Sequence, residues 1–173
     1  MRELRTKRLF LRHVRCEDAQ RIFDCWASDP EVNRYLTWNP HETVETTKGV
    51  VSAWVEEYKK DDCYRYGIEL EGELVGMIGV AGYHRGNPVI WYCLGRTYWG
   101  NGYMTEALGA VTRELFDEGY DTIVIEADKE NVASNRVIQK SGFTLRIVYE
   151  RKLSDMKPEL VTINAYRLYR KNG

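Results

Sequence analysis

Residues 89–108 read VIWYCLGRTYWGNGYMTEAL, and this stretch decides the fold of the chain. It begins with a short β-branched and aromatic run bounded by turn residues, which predicts a buried strand. Two glycines, Gly100 and Gly102, then mark a turn. Beyond them, apolar residues recur every three or four positions as far as Gly119, which predicts an amphipathic helix. The order is therefore strand, glycine turn, helix.

The glycine turn is predicted to bind an anion. Gly100 and Gly102 lack a Cβ, so the backbone can adopt positive φ and a ligand can approach it closely. The helix after the turn leaves its first amides unpaired, and its dipole adds partial positive charge there. A phosphate fits these features. The alternative is a tight turn with no ligand, since a short Gly-x-Gly motif alone does not distinguish a phosphate site from a simple turn.

Two common phosphate-binding motifs differ from this turn. The P-loop of nucleoside-triphosphate-binding proteins is excluded, because no Gly-Lys-Ser/Thr follows the glycines. A dinucleotide-binding fingerprint needs a third glycine where Thr105 stands, and it usually lies in the first βα unit of its domain. A dinucleotide-binding protein remains as a rival interpretation.

Length, composition and charge indicate one globular domain of residues 1–173. Hydrophobic residues make up 43% of the chain and charged residues 29%, as in water-soluble globular proteins. The formal net charge is −1, from 25 basic and 26 acidic residues, so no global basic excess indicates a nucleic-acid partner. No stretch approaches the roughly 18 apolar residues of a membrane-spanning helix, and the first residues lack the apolar core of a signal peptide. We therefore expect a cytoplasmic protein with no nucleic-acid or membrane partner.

The four cysteines predict free thiols. Cys16, Cys25, Cys63 and Cys93 are widely spaced and form no Cys-x-x-Cys motif. Reduced, structural cysteines are the expected state of such residues in the cytoplasm, and we expect neither a redox pair nor a metal site.

The rest of the chain predicts a mixed α/β fold. Strands are expected near 8–14, 64–70, 74–84, 89–95, 122–127, 145–152 and 160–169, and helices near 17–28, 43–58, 104–118 and 131–140. The strand at 122–127 follows 89–95 through a helix, so these two strands should be parallel. The fold class is therefore mixed α/β, with a mostly antiparallel twisted sheet that contains one parallel pair and is flanked by helices.

This order of elements resembles the GNAT superfamily of acyl-CoA N-acyltransferases over nearly the whole chain. The segments similar to the branch with the ribosomal-protein-alanine N-acetyltransferases are TKRLFLR at 6–12, DPEV at 29–32, YWGNGYMTEA at 98–107, and NVAS at 131–134 with KSGF at 140–143. The resemblance implies a single-domain GNAT-like fold whose parallel strands splay apart at the acyl-CoA site. It also implies a monomer or a homodimer.

The resemblance further implies an activity. Acetyl-CoA would be the co-substrate, with no metal, and the acetyl group would pass to a primary amine by direct attack. The favoured acceptor is an α-amino group of a peptide or protein N-terminus. The alternatives are acetylation of small-molecule amines, such as a polyamine, an amino acid or an antibiotic, and a non-catalytic acyl-CoA-binding module.

By the same resemblance, the coenzyme A pyrophosphate lies at the glycine turn and the pantetheine arm lies between the splayed strands, paired with backbone groups. Asn131 would hold this arm, and Ser134 would lie near the thioester sulfur. Arg136 and Lys140 share a helix face that either meets the cofactor's phosphates or is solvated. The implied cofactor-binding residues are Cys93, Leu94, Thr97, Gly100, Asn101, Gly102, Tyr103, Met104, Thr105, Asn131 and Ser134.

Two positions depart from the family pattern. Thr97 stands where many members carry Gln or Arg, so one side-chain contact to the phosphates is lost. Ile138 stands where many members carry a tyrosine that acts as the general acid. Ser134 is then the candidate catalytic residue at the sulfur, and a serine there could equally cap or pack its helix.

The acceptor amine must be neutral to attack. An α-amino group with a pKa of about 7.7–8.0 is appreciably neutral at pH 7, whereas a lysine-type amine near 10.4 depends more strongly on a base. The candidate bases are Glu126, Glu69 and His84, and Glu126 is the one assigned a catalytic role. The resemblance places the acceptor contacts at Arg34, Tyr35 and Trp38.

Overall fold

The computed structural model of the protein describes residues 2–60 and 62–170. Within these residues, one sheet is formed by eight strands: β1 (Leu4–Arg5), β2 (Leu9–Arg12), β3 (Arg65–Leu70), β4 (Glu73–His84), β5 (Asn87–Leu94), β6 (Thr122–Asp128), β7 (Thr144–Ser154) and β8 (Lys157–Tyr169). Their order across the sheet is β1-β2-β3-β4-β5-β6-β8-β7. Neighbouring strands are antiparallel except β5 and β6, which are parallel. The predicted mixed sheet with a parallel pair is confirmed.

The described ranges contain the α-helices α1 (Ala19–Ile22), α2 (Pro30–Asn33), α3 (Val44–Glu57), α4 (Tyr103–Asp117) and α5 (Val132–Lys140). Thr43 is the N-cap of α3, because its hydroxyl accepts the Thr46 amide at 3.3 Å. The first predicted helix, near 17–28, is helical from Cys16 to Ala27 but less regular than expected, since only Ala19–Ile22 is α-helical. After α1, a wider turn carries a hydrogen bond from the Ser28 amide back to the Phe23 carbonyl. Trp26 lies in this wider turn, and its side chain is only 1% exposed. The irregular backbone is therefore found where a large side chain packs into the core.

The parallel strands β5 and β6 are paired over only part of their length. Val89 lies opposite Val124, and Ile90 lies opposite Ile125. Beyond Ile90, β5 stays paired with β4, and β6 stays paired with β8. The two strands therefore separate, and a gap opens between the two halves of the sheet.

Apolar side chains fill both faces of the sheet. On one face, α4 and α5 contribute Leu108 and Ile138, which are fully buried. On the other face, Trp26 and Val51 belong to a second buried cluster near α1 and α3. The gap between β5 and β6 lies between these two cores. None of the helices in the described ranges is long and apolar enough to cross a membrane.

The structure extends the sequence prediction at both ends of the sheet. Strand β1 has two residues, too few for hydrophobic periodicity to reveal. Strand β8 begins earlier than predicted and includes Pro158. Its pairing with β6 begins only at Ile163. At Pro158, β8 is therefore paired with β7 on one edge and, within the described residues, has no paired strand on the other. A proline lacks an amide hydrogen and is tolerated where a strand edge is not paired.

Candidate active site

A cavity of about 490 Å³ opens where β5 and β6 separate. Trp91 and Tyr92 of β5 line one side, and Ala127 of β6 lines the other. The loop between α2 and α3 and the beginning of α5 complete the walls. The sequence-predicted residues that line this cavity are Tyr35, Trp38, Glu126, Asn131 and Ser134.

The loop after α2 covers the cavity and is held from two directions. Lys157, the first residue of β8, donates from its Nζ to the carbonyls of Asn33 at 2.5 Å and Leu36 at 2.9 Å. The Tyr35 hydroxyl donates to the carbonyl of Glu130, which precedes α5, at 3.3 Å. Both contacts tie the loop to the half of the sheet that contains β6 and β8.

The three predicted acceptor contacts take different positions in this loop. Trp38 packs edge-on against Trp91, with ring centroids 5.7 Å apart, and faces the cavity. Arg34 is exposed, with its guanidinium 5.3 Å from the centroid of the Tyr35 ring. The cavity lining within the described residues includes Tyr35 and Trp38 but not Arg34.

The glycine turn precedes α4, as predicted. Gly100 and Gly102 both have a φ of +78°, and Gly102 is the N-cap of α4, with no side-chain cap among the described residues. The Glu106 amide donates to the Gly102 carbonyl, so the amides of residues 103–105 precede this helical hydrogen bond. A Cβ at Gly100 would meet no heavy atom of the described residues within 4 Å. The turn is therefore an open cradle of amides that fits a phosphate group.

Arg8, to which the sequence alone assigned no role, lies beside this turn. Its guanidinium donates to the Glu106 carboxylate at 2.7 Å and to the Asn101 carbonyl at 3.1 Å. It also lies 4.5 Å from the centroid of the Tyr103 ring. Burial opposes ionisation of Glu106, but hydrogen bonds from Thr6 and Arg8 outweigh burial and lower its pKa. The ionised Glu106 therefore fixes a positive charge beside the glycine turn.

The other predicted turn residues offer mainly their backbone to a ligand. The Asn101 side chain donates to two carbonyls of the preceding turn, at 3.0 and 3.3 Å, so it shapes the turn. Met104 is buried, and Tyr103 and Thr105 are half-buried. Thr97 is exposed in a short 3-10 turn before the glycines.

The edge of β5 that faces the gap presents backbone groups of alternate residues. The Cys93 carbonyl faces β4, because a Cβ at Gly76 would clash with it. Successive residues of a strand direct their N–H and C=O groups to opposite edges, so those of Tyr92 and Leu94 face the gap. Of the predicted pair, Leu94 therefore faces the gap and Cys93 does not, and Tyr92 is an addition.

Ser134 on α5 and Tyr92 on β5 form a hydroxyl pair at the cavity. Their hydroxyl oxygens are 2.8 Å apart. Asn131 caps α5 by accepting the Ser134 amide at 3.1 Å, so the capping role left open for Ser134 belongs to Asn131. Burial raises the pKa of Tyr92 to about 12, and the hydrogen bond with Ser134 partly opposes this effect. Ile138 is fully buried in the apolar core.

Glu126 is the predicted base that lies at the cavity. Its carboxylate accepts from the Tyr149 hydroxyl at 2.8 Å and from the Arg151 guanidinium at 3.2 Å. Glu69 is instead paired with a buried arginine at 2.6 Å, and His84 is exposed at the end of β4. Neither belongs to the cavity lining within the described residues.

His41 lines the same cavity, although nothing in the sequence around it marked it as functional. Its Nδ1 lies 2.8 Å from the Oγ1 of Thr47, a buried residue of α3. Burial lowers the pKa of His41. The imidazole is therefore neutral at pH 7, and a neutral imidazole is a candidate proton acceptor.

Comparison with known proteins assigns the chain to a family. Residues 8–144, more than half of the chain, match the family model of the acetyltransferase (GNAT) domain. The chain belongs to the GNAT acetyltransferase family. The acetyltransferase interpretation is thus confirmed over its dinucleotide-binding rival.

Relatives and solved structures agree with this assignment. YoaA of Bacillus subtilis (strain 168), an uncharacterized N-acetyltransferase, is 34% identical over 146 residues, which cover 81% of each protein. An acetyltransferase from Salmonella typhimurium that modifies the N-terminal serine of a 50S ribosomal subunit protein has a TM-score of 0.83 at 19% identity, covering 96% of this chain and 97% of that one. The microcin C7 self-immunity acetyltransferase MccE, solved with acetyl-CoA and AMP, has a TM-score of 0.83 at 17% identity, covering 95% and 94%. At these identities the two structures show the shared fold.

Three residues at this acetyltransferase's candidate site were missed by sequence reasoning. In the sequence, Tyr92 is one more aromatic residue of a predicted buried strand, and its hydroxyl inside an apolar run is the signal that could have identified it. Arg8 lies within the motif at 6–12, but its distance from the glycine turn in the chain hid their contact. His41 had no signal, because its place depends on how a loop folds.

Proposed function

We propose that this acetyltransferase transfers the acetyl group of acetyl-CoA to a primary amine, and that its favoured acceptor is an α-amino group at a peptide or protein N-terminus. The observation that carries the proposal is one continuous cavity. It joins the open edge of β5, the Ser134 hydroxyl and the loop that contains Tyr35 and Trp38. A cofactor and an acceptor that enter from opposite sides would meet there.

The glycine turn is proposed to hold the coenzyme A phosphates. Its support is the positive φ of Gly100 and Gly102, the uncapped amides of residues 103–105 and the open space beside Gly100. Arg8 adds the positive side chain that Thr97 does not supply at this turn. A fixed guanidinium and a helix N-terminus both favour a dianionic pyrophosphate.

The gap between β5 and β6 is proposed to hold the pantetheine arm. The Tyr92 and Leu94 backbone groups face this gap, and an extended amide chain can add to such an edge as a strand would. The Leu94 carbonyl already accepts the Trp99 indole N–H at 2.7 Å, so the Leu94 amide and the Tyr92 groups are the ones that remain for the arm. Asn131 lines the same cavity and is proposed to hold the arm there.

Bound acetyl-CoA supplies a thioester that an amine can attack directly. Ser134 is proposed to donate a hydrogen bond to the sulfur as it leaves. Glu126 is proposed to draw the acceptor's ammonium into the cavity and to accept its proton, and His41 is the second candidate for that proton. An α-amino group makes the smaller demand on such a base, because its pKa of about 7.7–8.0 leaves part of it neutral at pH 7.

The choice of acceptor rests on this argument and on one structural neighbour, which modifies an N-terminal serine. Small-molecule amines are the second candidate, because the covering loop is fixed over the cavity by Lys157 and Tyr35. The four free thiols support a cytoplasmic location for either activity.

Two measurements test the proposal in sequence. Calorimetric titration should show acetyl-CoA binding, and a protein that binds no acetyl-CoA would contradict the cofactor assignment. A thiol-release screen should then cover N-terminal peptides, free amino acids, polyamines and aminoglycosides at several pH values. Release with peptides supports the favoured acceptor, and release with small amines alone supports the second candidate. Binding without release from any amine would indicate a non-catalytic acyl-CoA-binding module.

A further inference from the structure

We propose that Tyr92 is a positioning residue, which transfers no proton itself but orients the Ser134 hydroxyl toward the thioester sulfur. The proposal rests on the coenzyme A site described above. It adds a residue from β5 to a function that the family resemblance assigned to α5 alone.

The first step is the direction of the hydrogen bond between the two hydroxyls. Tyr92 has one hydroxyl hydrogen and two acceptors within reach: the Ser134 Oγ at 2.8 Å and the Ser134 carbonyl at 3.3 Å. An O–H···O bond is most favourable at about 2.7–2.8 Å, and 3.3 Å is beyond its usual range. At 2.8 Å either hydroxyl could be the donor, but if Ser134 donated, the Tyr92 hydrogen would be left with the Ser134 carbonyl at 3.3 Å. We therefore assign the Tyr92 hydrogen to the Ser134 Oγ, the assignment that gives it the shorter bond.

The second step is the consequence for Ser134. Once its oxygen accepts from Tyr92, the hydrogen of Ser134 must point elsewhere. Among the described residues, Tyr92 is the hydrogen-bond partner of the Ser134 Oγ, and both residues line the cavity. The Ser134 hydroxyl can therefore donate into the cavity, where the thioester is proposed to lie.

The third step is the permanence of the arrangement. Burial raises the pKa of Tyr92 to about 12, so Tyr92 stays protonated and keeps donating over the whole working pH range. Its ring is half-buried against the core beside β5, which holds the hydroxyl in place. A serine without such a partner would distribute among three staggered rotamers.

The chemical role is hydrogen bonding and not proton transfer. As the bond from the acceptor nitrogen to the acetyl carbon forms, the bond from that carbon to sulfur breaks, and sulfur leaves with the electron pair. The amine's surplus proton goes to a cavity base or to water, and the departed thiolate takes a proton from water. A thiol has a pKa near 8.5, so a tyrosine with a pKa of about 12 is too weak an acid to protonate the thiolate outright. It can still strengthen the Ser134 hydrogen bond to the developing negative charge.

The test measures the pKa of the coenzyme A thiol while it is bound, from thiolate absorbance as a function of pH, with desulfo-coenzyme A as the blank. We expect the bound thiol to ionise at lower pH in the wild type than in Tyr92→Phe, by roughly half a pH unit or more. Ser134→Ala should show at least the same difference, and the double variant should show no more than Ser134→Ala. Tyr83→Phe is the matched control, because its hydroxyl pairs with Tyr120 outside the cavity; it should behave as the wild type.

Steady-state kinetics provide the second readout. Tyr92→Phe should lower kcat roughly tenfold while the KM for acetyl-CoA changes by less than about twofold. An unchanged thiol pKa and an unchanged kcat in Tyr92→Phe would overturn the inference, as would additive effects of Tyr92→Phe and Ser134→Ala. If the wild type did not bind coenzyme A, the result would instead contradict the proposed function, and this inference with it. A variant that binds coenzyme A with wild-type affinity is shown to be folded at the site.

Discussion

Gly100 and Gly86 share a backbone conformation but differ in their surroundings. Their φ angles are +78° and +80°, and a Cβ on either would meet no heavy atom of the described residues within 4 Å. Gly100 lies in the turn before α4, whereas Gly86 lies in the hairpin between β4 and β5. Substitutions at these two glycines therefore distinguish the effect of backbone strain from the effect of contact with a ligand.

We predict that Gly100→Ala weakens acetyl-CoA binding by roughly tenfold or more, because its Cβ would occupy the space proposed for the pyrophosphate. Gly86→Ala should leave the affinity within about twofold of the wild type. Both variants should lose about 1 kcal/mol of the free energy of unfolding, because alanine is strained at positive φ. Calorimetry gives the affinities, and urea unfolding gives the stabilities. Equal affinities in the two folded variants would place the phosphates elsewhere.

His41 should make the stability of the protein depend on pH. Burial lowers its pKa below the ordinary value, so the unfolded chain binds this proton at a higher pH than the folded one. The contribution of the neutral imidazole to the free energy of unfolding is therefore complete above about pH 6.5. It is lost as the pH falls through the lowered pKa.

Between about pH 7 and pH 5, the free energy of unfolding should fall less steeply in His41→Gln than in the wild type. His84→Gln is the control, since His84 is exposed at the end of β4, and its slope should match the wild type. Urea unfolding at the two pH values provides the comparison. Parallel slopes in the wild type and His41→Gln would show that the His41 environment is not the one described.

At the scale of elements, the connection from β1 to β2 meets the beginning of α4. Thr6 and Arg8 of this connection both hydrogen-bond to Glu106, at 2.6 and 2.7 Å. The contact ties the first residues of the chain to the helix that follows the glycine turn. It places one guanidinium where the proposed phosphates lie.

We predict that Arg8→Gln weakens acetyl-CoA binding several-fold and makes the affinity less sensitive to salt, because one charge-assisted contact is removed. Arg5→Gln is the matched control, since Arg5 lies 4.0 Å over the Phe10 ring and outside the turn. Its affinity should stay within about twofold of the wild type. Calorimetry at low and high salt gives both quantities, and an identical salt dependence in Arg8→Gln and the wild type would argue against this contact.

The elements that could be predicted from the sequence are those with a local pattern. Helix α4 follows from its apolar spacing, and the parallel pair follows from the helix that joins β5 to β6. The contact of Lys157 with the loop after Asn33 could not be predicted, because its partners are more than a hundred residues apart and no periodicity records them. Tyr92 shows the same limit, since its hydroxyl gains a role only when α5 brings Ser134 to it.

At the scale of the whole molecule, the cavity lies where the two halves of the sheet separate. One half contributes the open edge of β5, and the other contributes Glu126 and α5. The covering loop comes from between the first helices, and Lys157 of the last strand holds it. The candidate site therefore depends on the complete fold. The activity proposed for it is acetyl transfer to an α-amino group.

The most direct test is coenzyme A release from acetyl-CoA with paired short peptides. Each pair has one sequence containing a lysine and differs only in a free or a blocked N-terminus, and the set varies the first residue. We predict release with peptides that have a free N-terminus and only background release with their blocked partners. Equal release from both members of a pair, or turnover of polyamines or aminoglycosides while every peptide is inert, would contradict the proposed acceptor.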